Sequence, residues 1–273
     1  ICNCSEDLVR IAAGVEYDGS AFCGWQYQEH SPSVQAAVEK ALSRVANVPL
    51  RVVCAGRTDT GVHAAGQVIH FDTTAQRSEF SWVRGANSNL PDSVRLLWAR
   101  TVDAGFHARF KAQRRYYRYV IFNRAIHPAY LHKRVSWEYR PLEIEPMQQA
   151  AVHLIGEHDF SAYRAVACQA KSPIRTLHQL DIRRHGQFII LDLTANAFLH
   201  HMVRNIAGVL MRIGAGEAKP DWARQVLEQR DRTLGGVTAP PDGLYFMQVD
   251  YPAEFALPKP AGADPLGLVD FSG

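Results

Sequence analysis

The 273-residue chain has no run of apolar residues approaching the roughly eighteen that a membrane-spanning helix needs, and its first ten residues lack an apolar signal-peptide core. Neither a membrane span nor a secretory signal is expected. Cysteine is sparse: Cys2, Cys4, Cys23, Cys54 and Cys168 are odd in number, scattered and without a CxxC pair. That excludes a disulfide framework and a zinc knuckle and points to a reducing, cytoplasmic compartment. Walker A, GxGxxG, GxSxG and RNP1-type motifs are missing, which removes the usual signatures of nucleotide hydrolysis and serine esterase chemistry. Strong net charge is missing as well. At +3, with a pI near 8.6, composition permits a nucleic-acid partner without establishing one.

What is present is enough apolar residue, 47% of the chain, to bury a good core as one large domain or two halves. The charge is unevenly spread. From Arg84 to Arg140 twelve Lys or Arg face three acids, Asp92, Asp103 and Glu138, and Phe106, Phe110, Tyr116, Tyr117 and Tyr119 are interleaved with them. Basic residues mixed with aromatics suit phosphate contact and base stacking, although a solvated strand face over core aromatics gives the same pattern.

Residues Val9 to Tyr17 alternate with period two and predict a strand ending at Asp18 and Gly19. Ser31 and Pro32 fit an N-cap and first helical residue, and Val34, Ala37, Val38, Ala41, Leu42 and Val45 give a helix ending near Asn47. Strands are expected at Leu50 to Ala55, Gln67 to Phe71 and Val94 to Val102, with a helix from Ser78 to Ser88, for the order βαββαβ. A second set follows: a strand at Arg115 to Phe122, a helix at Glu145 to Leu154, a hairpin of Thr176 to Arg184 and Phe188 to Ala195 around His185 and Gly186, helices over Phe198 to Ile213 and Trp222 to Gln229, and a strand at Leu244 to Val249. The fold class is therefore α+β, two ferredoxin-like halves at 1–112 and 113–251, and a Pro- and Gly-rich tail at 252–273.

The chemistry centres on CAGRTDTGVHAA, Cys54 to Ala65, a loop between two strands with a single aspartate, Asp59, among glycines, threonines, Arg57 and His63. As a turn it needs no function, since Asp starts turns and Gly supplies positive φ. A second carboxylate is absent nearby, the closest being Asp72, so a two-carboxylate glycosidase pair is not available locally. A carboxylate beside a guanidinium is favoured as the anion, the form a nucleophile or base requires. His63 reads as a loop residue. In AFLHHMVRNIAG, helical spacing places His200, His201 and Arg204 on neighbouring positions of one face. Adjacent histidines on a helix diverge by about 100° and no HExxH spacing occurs, so a metal site is rejected. In RRYYRYVIF, residues Arg115, Tyr117, Tyr119 and Ile121 share one strand face, and Tyr116 and Tyr119 read as ordinary core aromatics.

YDGSAFCGWQ at Tyr17 to Gln26, GRTDTGVHA at Gly56 to Ala64, FHARF at Phe106 to Phe110, RYYRY at Arg115 to Tyr119, ANAFLHHMVRN at Ala195 to Asn205 and DGLYF at Asp242 to Phe246 together resemble the bacterial tRNA pseudouridine synthase A family, over about Val9 to Tyr251, with LPKP at Leu257 to Pro260 also similar. Thr60 departs from the alanine that many members carry. The resemblance implies a cofactor-free homodimer converting uridine to pseudouridine at positions 38, 39 and 40 in the anticodon stem-loop of tRNA. It implies halves that share a mixed, mostly antiparallel sheet with an RNA cleft across it. It further implies Asp59 as catalytic aspartate, Arg57 as the arginine that helps displace the base, Tyr117 as the stacking tyrosine, Arg204 as the partner of the carboxylate and Leu244 as a packing residue near the base; chemically, Tyr117 would serve at the C5 proton only with help from a cation such as Arg204, since an ordinary tyrosine pKa is about 10. Arg114 and Arg115 stand in the basic stretch as phosphate contacts. The alternative is a noncatalytic RNA-binding protein of two sheet platforms.

Overall fold

A computed structural model describes residues 8–166 and 168–258; Cys2, Cys4, the last two residues of LPKP and the tail beyond it lie outside these. The described residues form ten strands and five α-helices and divide into two units, one of 8–113 with 247–258 and one of 114–246. The α+β class read from the sequence holds.

In the first unit the order is β1 (Val9–Tyr17), α1 (Val34–Ala46), β2 (Val53–Cys54), β3 (His63–Thr73), α2 (Glu79–Asn87) and β4 (Val94–Val102). β1 pairs antiparallel with both β3 and β4, and the β1–β3 register runs from Val9 opposite Thr73 to Tyr17 opposite Ala64. A bulge between Val15 and Tyr17 turns the end of β1 beside the Asp59 loop. The α1 cap falls on Ser33, whose Oγ accepts from the Ala36 N–H at 3.3 Å, and not on Ser31 with Pro32 as first helical residue. The reason is tertiary: the Pro32 carbonyl accepts from Cys23 N–H at 2.8 Å and stays extended. Asn47, at φ 60, closes the helix in the left-handed conformation that Asn tolerates.

β2 is shorter than its apolar run. Leu50 N–H donates to Ser43 Oγ at 2.9 Å and Val52 N–H to Glu39 Oε1 at 3.0 Å, so side chains of α1 claim backbone that a ladder would use. β3 is longer than expected and begins at His63, which is a buried strand residue and not a loop residue. Its ring Nδ1 accepts from Gly19 N–H at 3.1 Å, a contact that sequence spacing does not show.

The second unit contains β5 (Arg114–Asn123), β6 (Ser136–Glu138), α3 (Ile144–Val152), β7 (Gly156–Asp159), β8 (Ile174–His185), β9 (Phe188–Ala195), α4 (Met202–Gly214) and α5 (Trp222–Gln229). β5 pairs antiparallel with β9, β9 with β8 and β8 with β7, while β6 lies parallel to β5. The hairpin closes with His185 opposite Phe188, as the turn residues imply. The short β6 and β7 are additions to the expected order. β10 (Leu244–Asp250) ends the sheet strands, Leu244–Phe246 counting with the second unit and the rest with the first.

α4 starts at Met202, four residues later than the apolar spacing from Phe198 suggests. His201 has φ 62 and sits outside the helix as its N-cap, so His200 and His201 do not share a helical face with Arg204. The two rings instead lie 4.1 Å apart at 41° in the turn before it.

Candidate active site

In the first unit, Asp59 opens a four-residue turn. Val62 N–H donates to the Asp59 carbonyl at 3.1 Å and Gly61, third in the turn, has φ +79, the left-handed value a type II turn requires at that position. The turn read from the sequence over Thr58 to Gly61 is present one residue later, and it holds the half-buried Asp59 side chain between buried Thr58 and exposed Thr60.

Three supports immobilise this loop. Tyr17 Oη and Thr58 Oγ1 are hydrogen-bonded at 2.7 Å in a buried position, and burial pushes the Tyr17 phenol well above its ordinary pKa, so the phenol is neutral. Trp25 N–H donates to the Thr58 carbonyl at 3.0 Å, and Gly61 N–H to the Phe22 carbonyl at 3.4 Å. Gln67 Nε2 on β3 donates to the Gly56 carbonyl at 2.6 Å while its Oε1 accepts from Gly56 N–H at 3.4 Å, a two-point clamp on the entry to the loop. The segment YDGSAFCGW thus serves as the cradle of the Asp59 turn.

Arg57 is exposed and makes no side-chain hydrogen bond or ion pair among the described residues. At the loop entry, burial pushes the Cys54 thiol up to about 12, against the opposing influence of Arg57 and Arg109, which disfavours its thiolate.

In the second unit, Tyr117 lies on β5 opposite Leu193 and is 8% exposed. Its ring meets Phe198 at 4.9 Å and 76° and Phe246 at 4.8 Å and 62°, both edge-on, which fixes the ring plane. Leu244, two residues before Phe246 on β10, is buried, and its N–H donates to the Pro241 carbonyl at 2.8 Å. Tyr119 is fully buried, with Oη against Ser136 Oγ at 2.6 Å and the Pro240 carbonyl at 2.8 Å, the core role read from the sequence; Tyr116 is half-buried.

Arg204 stands in the first turn of α4. Its Nε donates to the Ala239 carbonyl at 2.8 Å and its own carbonyl accepts from Ala239 N–H at 3.1 Å, which sets the guanidinium plane against the segment before β10. Neighbouring Asn205 anchors the same segment: buried Oδ1 accepts from Arg232 at 3.0 Å and Thr238 at 2.7 Å, and Nδ2 donates to the Tyr163 carbonyl at 2.7 Å. Of the two basic residues expected on phosphate, Arg114 is exposed without a side-chain hydrogen bond among the described residues. Arg115 is 9% exposed, its guanidinium donating to the Asn196 carbonyl at 2.7 Å.

Sequence reasoning missed Tyr17, Trp25 and Gln67 as supports of the Asp59 turn and Asn205 as the organiser behind Arg204. The signal available for Tyr17 and Trp25 was their place in the YDGSAFCGWQ run, and for Asn205 its place at the end of ANAFLHHMVRN; Gln67 carried none beyond being polar in an otherwise apolar stretch.

A family model described as tRNA pseudouridine synthase matches residues 13–111 and 150–252, well over half of the chain. The chain belongs to the tRNA pseudouridine synthase family. Proteins named tRNA pseudouridine synthase A are similar to it throughout: one from Nitrosococcus oceani is 58% identical over 92% of this chain and 97% of that protein. One from Coxiella burnetii is 56% identical over 92% and 97%, and one from Pseudomonas aeruginosa is 58% identical over 92% and 88%. The family match takes in Arg57, Asp59, Arg204 and Leu244, whereas Arg114, Arg115 and Tyr117 fall between its two matched stretches.

Proposed function

We propose that this enzyme is an isomerase that converts uridine to pseudouridine in tRNA, acting at positions 38, 39 and 40 of the anticodon stem-loop, with Asp59 as its essential carboxylate and no cofactor. The family membership and the names of its relatives support the reaction class and the tRNA substrate. The observation that carries the residue assignment is the Asp59 turn, a half-buried carboxylate on a loop whose backbone is held by Trp25 and Gln67 and whose Thr58 hydroxyl is held by Tyr17. Such pre-positioning is what a reacting group needs.

The reaction breaks the bond between C1′ and N1, turns the detached uracil and forms a bond from C1′ to C5; N1 gains a proton and C5 loses one. Atoms and electrons balance without an outside reactant. The Asp59 carboxylate suits attack on C1′, addition to C6 or removal of the C2′ proton. Flipping a paired base out of a stem costs a few kcal/mol, which phosphate contacts and insertion of exposed Arg57 offset. Tyr117, its ring plane set by Phe198 and Phe246, stacks on the uracil, Leu244 packs beside it and Arg204 partners the carboxylate. The active species is a cytoplasmic homodimer, in keeping with a tRNA substrate and with free Cys23, Cys54 and Cys168.

Asp59→Asn tests the assignment. The variant is expected to bind tRNA and to release no tritium from [5-³H]uridine in it. Persistent release would favour the noncatalytic platform role for this loop, and free uracil from the wild type would indicate a glycosidase in place of an isomerase.

A further inference from the structure

Beyond the Asp59 turn, the first unit carries a graded stack of rings at FHARF, after β4. His70 on β3 is buried; His107 lies 4.7 Å from it at 58°, and Phe110 lies 4.2 Å from His107 at 32°, both pairs tilted. The stack runs outward, because Phe110 is 75% exposed. It is also rigid. His107 Nδ1 accepts from the N–H groups of Arg109 and Phe110, both at 3.2 Å, its carbonyl accepts from Lys111 N–H at 2.9 Å, and His70 Nδ1 accepts from Ala108 N–H at 3.1 Å. An exposed phenylalanine on a mobile loop would carry little meaning; one held from behind by two imidazoles and four backbone hydrogen bonds is a fixed surface.

The segment that carries it is basic. The Arg109 guanidinium sits 5.7 Å from the Phe110 centroid, Lys111 follows, and no Asp or Glu occurs between Asp103 and Glu138. The place is also close to the loop entry. Arg109 and Arg57 both act electrostatically on Cys54, and Cys54 pairs with Ile69, the neighbour of His70.

We infer that Phe110 is a stacking platform for an unpaired nucleobase of the tRNA substrate, with Arg109 and Lys111 meeting the phosphates beside that base. A flat aromatic face flanked by cations matches a nucleotide in both its parts, the π-face of the base and the charge of the backbone. Stacking accepts any base, so the platform grips RNA without reading its sequence. This inference rests on tRNA being the substrate, and it places a binding residue outside the reacting centre.

The test uses full-length protein and unmodified tRNA transcript, comparing wild type with Phe110→Ala and Phe110→Trp. Alanine is expected to weaken tRNA binding and raise KM by about tenfold, within the range for loss of one base–aromatic stack. It leaves kcat at saturating tRNA and the salt slope of binding unchanged, because no phosphate contact is removed; tryptophan restores both Kd and KM. A Kd within twofold of wild type for Phe110→Ala overturns the inference. So does a change in sedimentation mass for that variant, which would assign Phe110 to a contact with a second copy. Wild-type protein that binds tRNA without making pseudouridine would remove the proposed reaction while the Kd comparison still judges the platform.

Discussion

Gly24 and Thr58 approach so closely that a Cβ on Gly24 would lie 2.7 Å from the Thr58 carbonyl oxygen and 3.1 Å from the Asp59 carbonyl carbon, and Gly24 has φ +90. Both the space and the conformation demand glycine here. Gly24→Ala is therefore expected to destabilise the fold by about 1–3 kcal/mol and to displace the Asp59 backbone. Denaturant unfolding measures the first effect. A fall in kcat larger than the rise in KM, under conditions where the variant is fully folded, measures the second.

Tyr17→Phe removes the buried hydroxyl that meets Thr58 Oγ1 and leaves the ring. A loss of about 1 kcal/mol in stability is expected, with reduced kcat. Thr58→Val should cost a similar amount, and the double variant less than the sum, since both remove one interaction. Additive effects in that cycle would show that the hydrogen bond does not couple the two residues.

Arg114 and Arg115 are predicted to part ways. Exposed Arg114→Gln should leave stability unchanged and flatten the salt dependence of tRNA binding by about one unit of slope for a lost phosphate contact. Buried Arg115→Gln strips a guanidinium from the Asn196 carbonyl and should destabilise the protein. Thermal unfolding and binding titrations at several salt concentrations separate the two outcomes.

Acid sensitivity should be traceable to His70. Burial, then the charges of His107 and Arg10, lower its pKa to about 4 from 6.5, and its Nδ1 must stay unprotonated to accept the Ala108 N–H. With the folded value depressed, the stability it contributes is complete above about pH 6.5 and is lost progressively as pH falls towards 4. Asp72, held low chiefly by its hydrogen bonds from Arg10, adds a loss of the same sign at lower pH. His70→Gln should remove about 2 kcal/mol of the pH-dependent change between pH 6.5 and 4, read from urea unfolding across that window.

Much of this molecule is legible along the chain where one periodicity governs a whole element. β1 and α5 start and stop where alternation and helical spacing do, and Ser78 and Ser88 flank α2 as expected. Legibility fails where apolar spacing continues past the real end of an element. Phe198 fits the α4 pattern but belongs to the turn before it, where its ring packs on Tyr117. β6 and β7, three and four residues long, are too short to show any period.

The local chemistry of CAGRTDTGVHAA, a turn with one carboxylate and a nearby arginine, was determined by the sequence itself, because turn formation depends on neighbours a few residues away. So were the α+β class and the likeness to a family. Which groups hold the turn was decided by tertiary structure alone: Tyr17 and Trp25 bond to Thr58 and Gln67 bonds to Gly56, on the approach to Asp59, through pairings that linear spacing does not encode. The same holds for the contrast between exposed Arg114 and buried Arg115, adjacent residues of one type. Strand geometry points successive side chains to opposite faces, and only the packing of the sheet determines which face meets water.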